Sequence, residues 1–184
     1  MVNIEDYILL KRIQDGDPAA FEILVRKYYQ DIYKFCVRRC NGNIAIAADL
    51  TQETFLKLIE HIQRYRPTGK FINFLLTIAV NTCNNNYKKK SLEFVGLDAL
   101  MQIPDQNDIE TMILQNEASL TVQQAVNRLP DIQKETIILR FYHDRKLREI
   151  ADITGVSLPT AKSRLKQGLD KLKCYLDKED LNHD

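Results

Sequence analysis

Apolar side chains recur along this chain at steps of three and four residues, with no convincing alternation of period two. Phe21, Leu24, Val25, Tyr28, Ile32, Phe35 and Cys36 form one row, and Leu50, Phe55, Leu58, Ile59 and Ile62 a second. Phe71, Phe74, Leu75, Ile78 and Ala79 form a third. Residues spaced this way fall on one face of an α-helix, so each row predicts an amphipathic helix that needs a partner to cover it. Punctuation agrees with the rows. Asn3 can cap a first helix that ends before Gly16, and Asp17 with Pro18 restarts the chain as an N-cap followed by a first-turn proline. Asn41-Gly42-Asn43 and Pro67-Thr68-Gly69 are breaks. The fold class is all-α, and residues 1–90 read as a four-helix unit with its own core.

Charge divides the chain again. The total is near neutral, with 26 Lys and Arg against 25 Asp and Glu. Residues 1–90 carry 14 basic and 9 acidic side chains, residues 91–127 carry six acids and no base, and residues 128–173 carry 11 basic and 6 acidic. The last eleven residues return to net negative charge with Asp177, Glu179, Asp180 and Asp184 against Lys178. Two basic bodies are thus separated by an acidic segment, and a basic body attracts phosphate at short range whatever the total. Weak periodicity with Gly96, Pro104, Asp105 and Asn107 predicts that the segment from Ser91 to about Asp108 is extended and flexible. The expected organisation is a domain over 1–90, an acidic linker over 91–118, a second helical domain over 119–176 and an acidic tail over 177–184.

Helical signal returns from Ile109 through Met112, Ile113, Leu120 and Val126 to Leu129, and Pro130 opens a helix with Ile132, Ile137, Ile138, Leu139 and Phe141 as its apolar set. The segment from Leu147 to Leu165 has the mechanics of a helix-turn-helix. A short helix turns Ile150 and Ala151 inward, Gly155 supplies a left-handed corner, Val156 plugs the angle and Ser157 caps the next helix. That second helix is expected to bury Ala161, Leu165, Leu169 and Leu172. Its other face shows Pro159, Thr160, Lys162, Ser163, Arg164, Lys166 and Gln167. Such side chains at a helix N-terminus reach base edges and phosphates when the helix lies in a major groove. A basic face on an ordinary solvated helix is the plainer reading for Lys162 or Lys166 alone, whereas the whole constellation points to DNA binding.

Other chemistries find little support. Cys36, Cys40, Cys83 and Cys174 are too few for a disulfide scaffold; Cys36 and Cys40 share a helix face, but no ligand set completes a zinc site, and buried thiols are the expectation. Thr68-Gly69-Lys70-Phe71 lacks the glycine and hydroxyl of a phosphate loop, and His61, His143 and His183 stand far apart. No enzyme, metal or cofactor is expected. The start of the chain lacks the pattern of a secretory signal, and no segment has the apolar length of a membrane span, so a cytoplasmic location without membrane insertion is expected.

Three motifs in order carry a resemblance over nearly the whole chain. Asp49-Leu50-Thr51-Gln52-Glu53-Thr54-Phe55, then Phe71 to Asn81 (FINFLLTIAVN), then Leu129-Pro130 with the helix-turn-helix and Lys162-Ser163-Arg164-Leu165 resemble extracytoplasmic-function sigma factors, a compact branch of the sigma-70 superfamily. The resemblance implies two helical domains, sigma regions 2 and 4, that bind core RNA polymerase and promoter DNA. It implies that Asp49, Gln52 and Glu53 dock on the coiled coil of the largest polymerase subunit, with the flap of the second-largest subunit a further contact. It also implies that Tyr65, Lys70, Asn81, Lys88, Lys89 and Lys90 meet the melted −10 strand, while Pro159, Thr160, Lys162, Ser163, Arg164 and Lys166 read the −35 duplex. An anti-sigma protein is a further candidate partner. Phe74 stands where the family usually has Trp, Asn85 where it has Asp, a Lys run where it has Arg, and Pro159 and Ala161 where it has Gly and Val. A helix-turn-helix regulator with an N-terminal dimerisation or sensor domain is the competing reading, and it leaves the first motif and the lysine run without a role. For Glu53, an i,i+4 pair with Lys57 is the plain structural alternative.

Overall fold

The computed structural model describes the backbone of residues 3–94 and 117–180. The described residues form helices and connecting turns, with no strand among them. The elements are α1 (Ile4–Gln14), α2 (Pro18–Arg39), α3 (Ile44–Ile62), α4 (Phe71–Phe94), α5 (Glu117–Asn127), α6 (Asp131–Ile137), α7 (Leu147–Thr154) and α8 (Leu158–Asp180). They fall into two compact units, residues 1–37 with 45–100, and residues 38–44 with 101–184.

In the first unit the expected caps form. Asn3 Oδ1 accepts the backbone N–H of Glu5 at 2.9 Å, and Asp17 Oδ1 accepts those of Ala19 and Ala20 at 2.9 and 3.3 Å. Each satisfies donors that a helix start leaves without intrahelical partners, a contribution of about 1 kcal/mol. Between them, Gly16 turns the chain with φ +92, a conformation that costs glycine little. Leu24, Ile32, Phe35, Leu58, Leu75 and Leu76 are fully buried at the centre of the unit. Phe55 joins that core, its ring stacked at 6.1 Å on Tyr29. Buried Thr51 and Thr54 donate their hydroxyls to the carbonyls of Ala47 and Leu50 at 2.7 Å, which spares the interior two unpaired polar groups. Cys36 and Cys83 are buried here as expected.

One feature of this core has no counterpart in the hydrophobic rows. Asp6 of α1 is buried, and its Oδ2 accepts the Tyr28 hydroxyl at 2.6 Å while Oδ1 takes Lys27 Nζ at 2.8 Å. A buried carboxylate is tolerated only with such partners. Burial and the bond to Asp6 raise the Tyr28 phenol well above its usual range, and the Asp6 bond raises the Lys27 ammonium.

Several boundaries and packing assignments differ from those expected. α4 continues to Phe94, so residues 91–94 are helical rather than the start of an extended linker. No proline or glycine interrupts the run from Asn81 to Phe94. Residues 117 and 118, expected to end the linker, begin α5; residues 95–116, with the expected helical start at Ile109, and the end of the acidic tail lie outside the described residues.

In the second unit, α8 packs against α5, α6 and α7. After Ile137 the helix widens into a π-helical turn, Ile138–Tyr142. Ile137, Ile138 and Leu139 are buried, but Ile132 and Phe141 are exposed, so only the centre of the expected apolar set faces inward. α8 buries Ala161 and Gly168, with Leu165, Leu172 and Tyr175 packed on a core of Val126, Leu129 and Ile137. Leu169, expected in that row, is 42% exposed. The buried line runs through Gly168 instead, where α6 packs closely: a Cβ there would meet Ile137 Cγ1 at 3.1 Å, so the Ile137 side chain would have to give by a few tenths of an ångström. Cys174 is exposed rather than buried.

Candidate nucleic-acid interface

The helix-turn-helix forms where its residues placed it. Glu149 accepts the backbone N–H of Lys146 at 2.8 Å and fixes the start of α7. Ile150, Ala151 and Ile153 are buried, and Gly155 closes the helix at φ 67, ψ 32. The Val156 N–H then returns to the Ala151 carbonyl at 3.0 Å, giving the sharp corner. Ser157 Oγ accepts the N–H of Thr160 at 3.3 Å and lies 2.8 Å from the Thr160 hydroxyl, so α8 is capped at its first turn. Fully buried Ala161 sets the rotation of α8. In consequence Pro159, Thr160, Lys162, Ser163, Lys166 and Gln167 are exposed and Arg164 is half-buried. A hydrogen-bond chain runs from buried Gln133 of α6 through Gln167 to Ser163, with both links 3.0 Å long. The sequence gives no local signal for the Gln133–Gln167 link, because its members are 34 residues apart.

In the first unit, α3 exposes Asp49 and Gln52, and Glu53 is half-buried. Glu53 pairs with Lys57 at 2.6 Å, and Lys57 also donates to Thr82 of α4 at 3.2 Å. Two apolar neighbours on this side were not foreseen. Leu56 is 62% exposed, and Ile59, assigned to the core row, is 50% exposed. Leu56 breaks the three-and-four spacing that places Phe55 inside, and that irregularity was the available signal.

The segment between α3 and α4 is held at its start. Tyr65 stacks on Phe74 at 4.3 Å and meets Phe71 edge-on at 5.6 Å, which leaves the ring half-buried and raises its hydroxyl pKa through burial. Phe74, standing where the related motif has Trp, keeps an aromatic surface for that stack. Lys70 is exposed just before α4. Asn81, Asn85 and Lys88 are exposed at steps of four and three along α4, so they share one stripe. Lys89 and Lys90 continue the helical backbone, and their side chains lie outside the described residues. The structure thus groups the expected polar and basic residues onto α4 and the turn before it.

Among the described residues, no three His, Cys, Asp or Glu side chains gather as a metal site requires, and no helix is long and apolar enough to cross a membrane.

Comparison with known proteins gives both units the same kinship. Residues 24–93 match the family model for sigma-70 region 2, and residues 119–172 match that for sigma-70 region 4. The chain is 29% identical over 177 residues to the ECF RNA polymerase sigma factor SigW of Bacillus subtilis, covering 91% of this chain and 94% of that one. It is 27% identical over 180 residues to the RNA polymerase sigma-H factor of Pseudomonas aeruginosa, covering 91% and 93%. Among solved structures, CnrH in complex with the cytosolic domain of CnrY is similar in fold with a TM-score of 0.69 at 20% identity, covering 95% of this chain and 98% of that one. RpoE of Bartonella quintana, solved with the anti-sigma factor NepR, gives 0.67 at 20% identity, covering 85% and 96%.

Proposed function

Since the chain belongs to the sigma-70 family, in its extracytoplasmic-function branch, we propose a division of labour among its exposed residues in promoter-specific transcription initiation. The α8 face of Pro159, Thr160, Lys162, Ser163, Arg164 and Lys166 reads the −35 element as duplex. Tyr65, Lys70, Asn81 and Lys88 to Lys90 hold the melted −10 strand. Asp49, Gln52 and Glu53 dock on the coiled coil of the largest polymerase subunit, and exposed Leu56 and Ile59 add apolar area to that contact. The second unit meets the flap of the second-largest subunit.

The observation that carries the reading is the exposed stripe of Asn81, Asn85 and Lys88 beside an aromatic-anchored turn, in a unit separate from the helix-turn-helix. Amides and ammonium groups along a helix suit a phosphate backbone with exposed base edges, and an adjacent aromatic suits an unstacked base. A regulator that binds its operator as a dimer uses the α8 face alone and gives the first unit no DNA to hold. The segment between α4 and α5, which contains no Lys or Arg, acts as a tether, so that binding by one unit raises the effective concentration of the other at its own element. Nucleotidyl transfer belongs to the polymerase; this chain supplies recognition and no catalysis, and it acts where polymerase and promoter are, in the cytoplasm. An anti-sigma partner that covers the polymerase-facing surfaces fits the same reading.

Run-off transcription with core polymerase on a promoter library tests it. Transcripts should require both elements, and Arg164→Ala should weaken initiation on −35-dependent templates by about 1–3 kcal/mol in apparent affinity. Undiminished transcription from those templates by the variant would remove Arg164 from the interface.

A further inference from the structure

The end of α1 is fastened to the start of the α3–α4 turn by one side chain. Gln14, the last residue of α1, sends its amide Nε2 to two backbone carbonyls, Ile62 O and Tyr65 O, each at 3.0 Å. Ile62 is the last residue of α3, where carbonyls have no intrahelical donor. Its oxygen also takes the Tyr65 N–H at 3.2 Å. Gln14 therefore spends both amide hydrogens on groups 48 and 51 residues away, and Gln63 Nε2 reaches back toward the Ile13 carbonyl at 3.5 Å.

Tyr65 is consequently held at three points: its N–H by Ile62, its carbonyl by Gln14, and its ring by Phe74 and Phe71. From there five residues, Arg66 to Lys70, cross to Phe71 at the start of α4. Pro67 restricts its own φ, and a Cβ on Gly69 would meet nothing within 4 Å. The direction in which this short span leaves Tyr65 is set largely where Gln14 holds the carbonyl. α1 is itself braced at its other end through Asp6 on Tyr28, whose ring lies 5.4 Å from Phe71.

We propose that Gln14 is a positioning residue for −10 recognition: it fixes the trajectory of residues 66–70 so that the strand-facing groups meet one base rather than any base. This rests on the reading that Tyr65 and Lys70 face the melted strand. Gln14 does not touch DNA in this scheme. It acts through Tyr65.

The test uses holoenzyme reconstituted from core polymerase and the full chain, on paired promoters that differ at a single −10 base. Open-complex formation on the two gives a discrimination ratio. Gln14→Ala removes both donors and should lower the ratio about fivefold, the effect of a net hydrogen bond or somewhat more. The isosteric Gln14→Glu turns oxygen toward the two carbonyls and should lower the ratio further, while Gln14→Lys, which restores N–H donors, should recover part of it. Affinity for core polymerase and dependence on the −35 element should stay near wild type, and the thermal midpoint should fall only by the few degrees that a lost hydrogen bond costs. Amide hydrogen exchange in the full chain should speed up within residues 63–70 and not elsewhere.

An unchanged ratio in Gln14→Glu overturns the proposal. So does a loss in which core affinity, −35 dependence and thermal midpoint fall together, since that describes a residue needed only for folding. Lys70→Ala and Tyr65→Ala separate this from the underlying reading. If neither alters open-complex formation, the strand assignment fails; if they do and Gln14→Glu leaves discrimination intact, only the positioning role fails.

Discussion

Gly168 shows how one residue sets the spacing of two helices. It is buried in the middle of α8, and the 3.1 Å approach of Ile137 Cγ1 to the place of a Cβ means that α6 and α8 meet there backbone to side chain. A leucine at this position crowds the Ile137 and Gln133 side chains, which lie 3.1 to 3.6 Å from the place of its Cβ. Gly168→Leu should destabilise the second unit by about 1–3 kcal/mol, the usual cost of overpacking, despite leucine's better helix propensity. Thermal unfolding would show it; an unchanged midpoint would mean that α8 can slide on α6. The same residue explains why hydropathy misplaced a core position. A glycine carries no apolar signal, so the row Ala161, Leu165, Leu169 and Leu172 looked regular, whereas the buried line passes through Gly168 and leaves Leu169 out. Leu56 and Ile59 are the converse case: apolar residues that hydropathy assigns to a core or leaves unplaced, and that the structure leaves exposed beside Gln52 and Glu53.

At the scale of elements, what was legible was local. Asn3, Asp17, Gly155 and Ser157 act through neighbours two to four residues away, and each terminates or starts a helix as its chemistry dictates. What was not legible depends on distant partners. The clamp of Asp6 on Tyr28 and Lys27 joins α1 to α2 across 22 and 21 positions, and an acid in the first turn of an exposed-looking helix gives no sign of burial. That clamp has a pH signature. The Tyr28 hydroxyl is raised from its ordinary 10.0 by burial and by Asp6. Below that value folded and unfolded chains both hold the proton, and the contribution is whole. As pH climbs past it, the unfolded chain releases a proton that the native chain keeps, so the balance tips toward unfolding. Tyr28→Phe should be less stable at neutral pH by about 1–3 kcal/mol, because Asp6 Oδ2 loses its donor in a buried setting. The gap between variant and wild type should then narrow as pH rises to about 11, since phenylalanine has no proton to lose. A gap that stays constant in urea titrations across that range would show that Tyr28 ionisation is not linked to folding.

The molecule as a whole carries a charge of +1, and that charge is unevenly laid out along the chain. Residues 1–90 and 128–173 each carry an excess of basic side chains, 14 against 9 and 11 against 6, and residues 91–127 between them hold no Lys or Arg. A total near zero keeps non-specific attraction to DNA modest, while residues 1–90 and 128–173 each retain a local positive field. Counterion release makes the −10 side of this arrangement measurable. Binding to a single strand loses affinity with salt in proportion to the phosphates neutralised, with a logarithmic slope of about −0.7 per contact. If Lys88, Lys89 and Lys90 each hold one phosphate of the melted strand, replacing all three by alanine should flatten the salt dependence of open-complex formation by about 2 on that logarithmic scale. Preference among −10 bases should change little, because phosphate contacts position the strand without reading it. The two measurements pull apart the two kinds of contact assigned to the first unit. A slope that stays as steep as wild type would place the lysine run off the DNA, and lost base preference at an unchanged slope would mean that α4 reads bases at its basic end rather than near the turn that Gln14 holds.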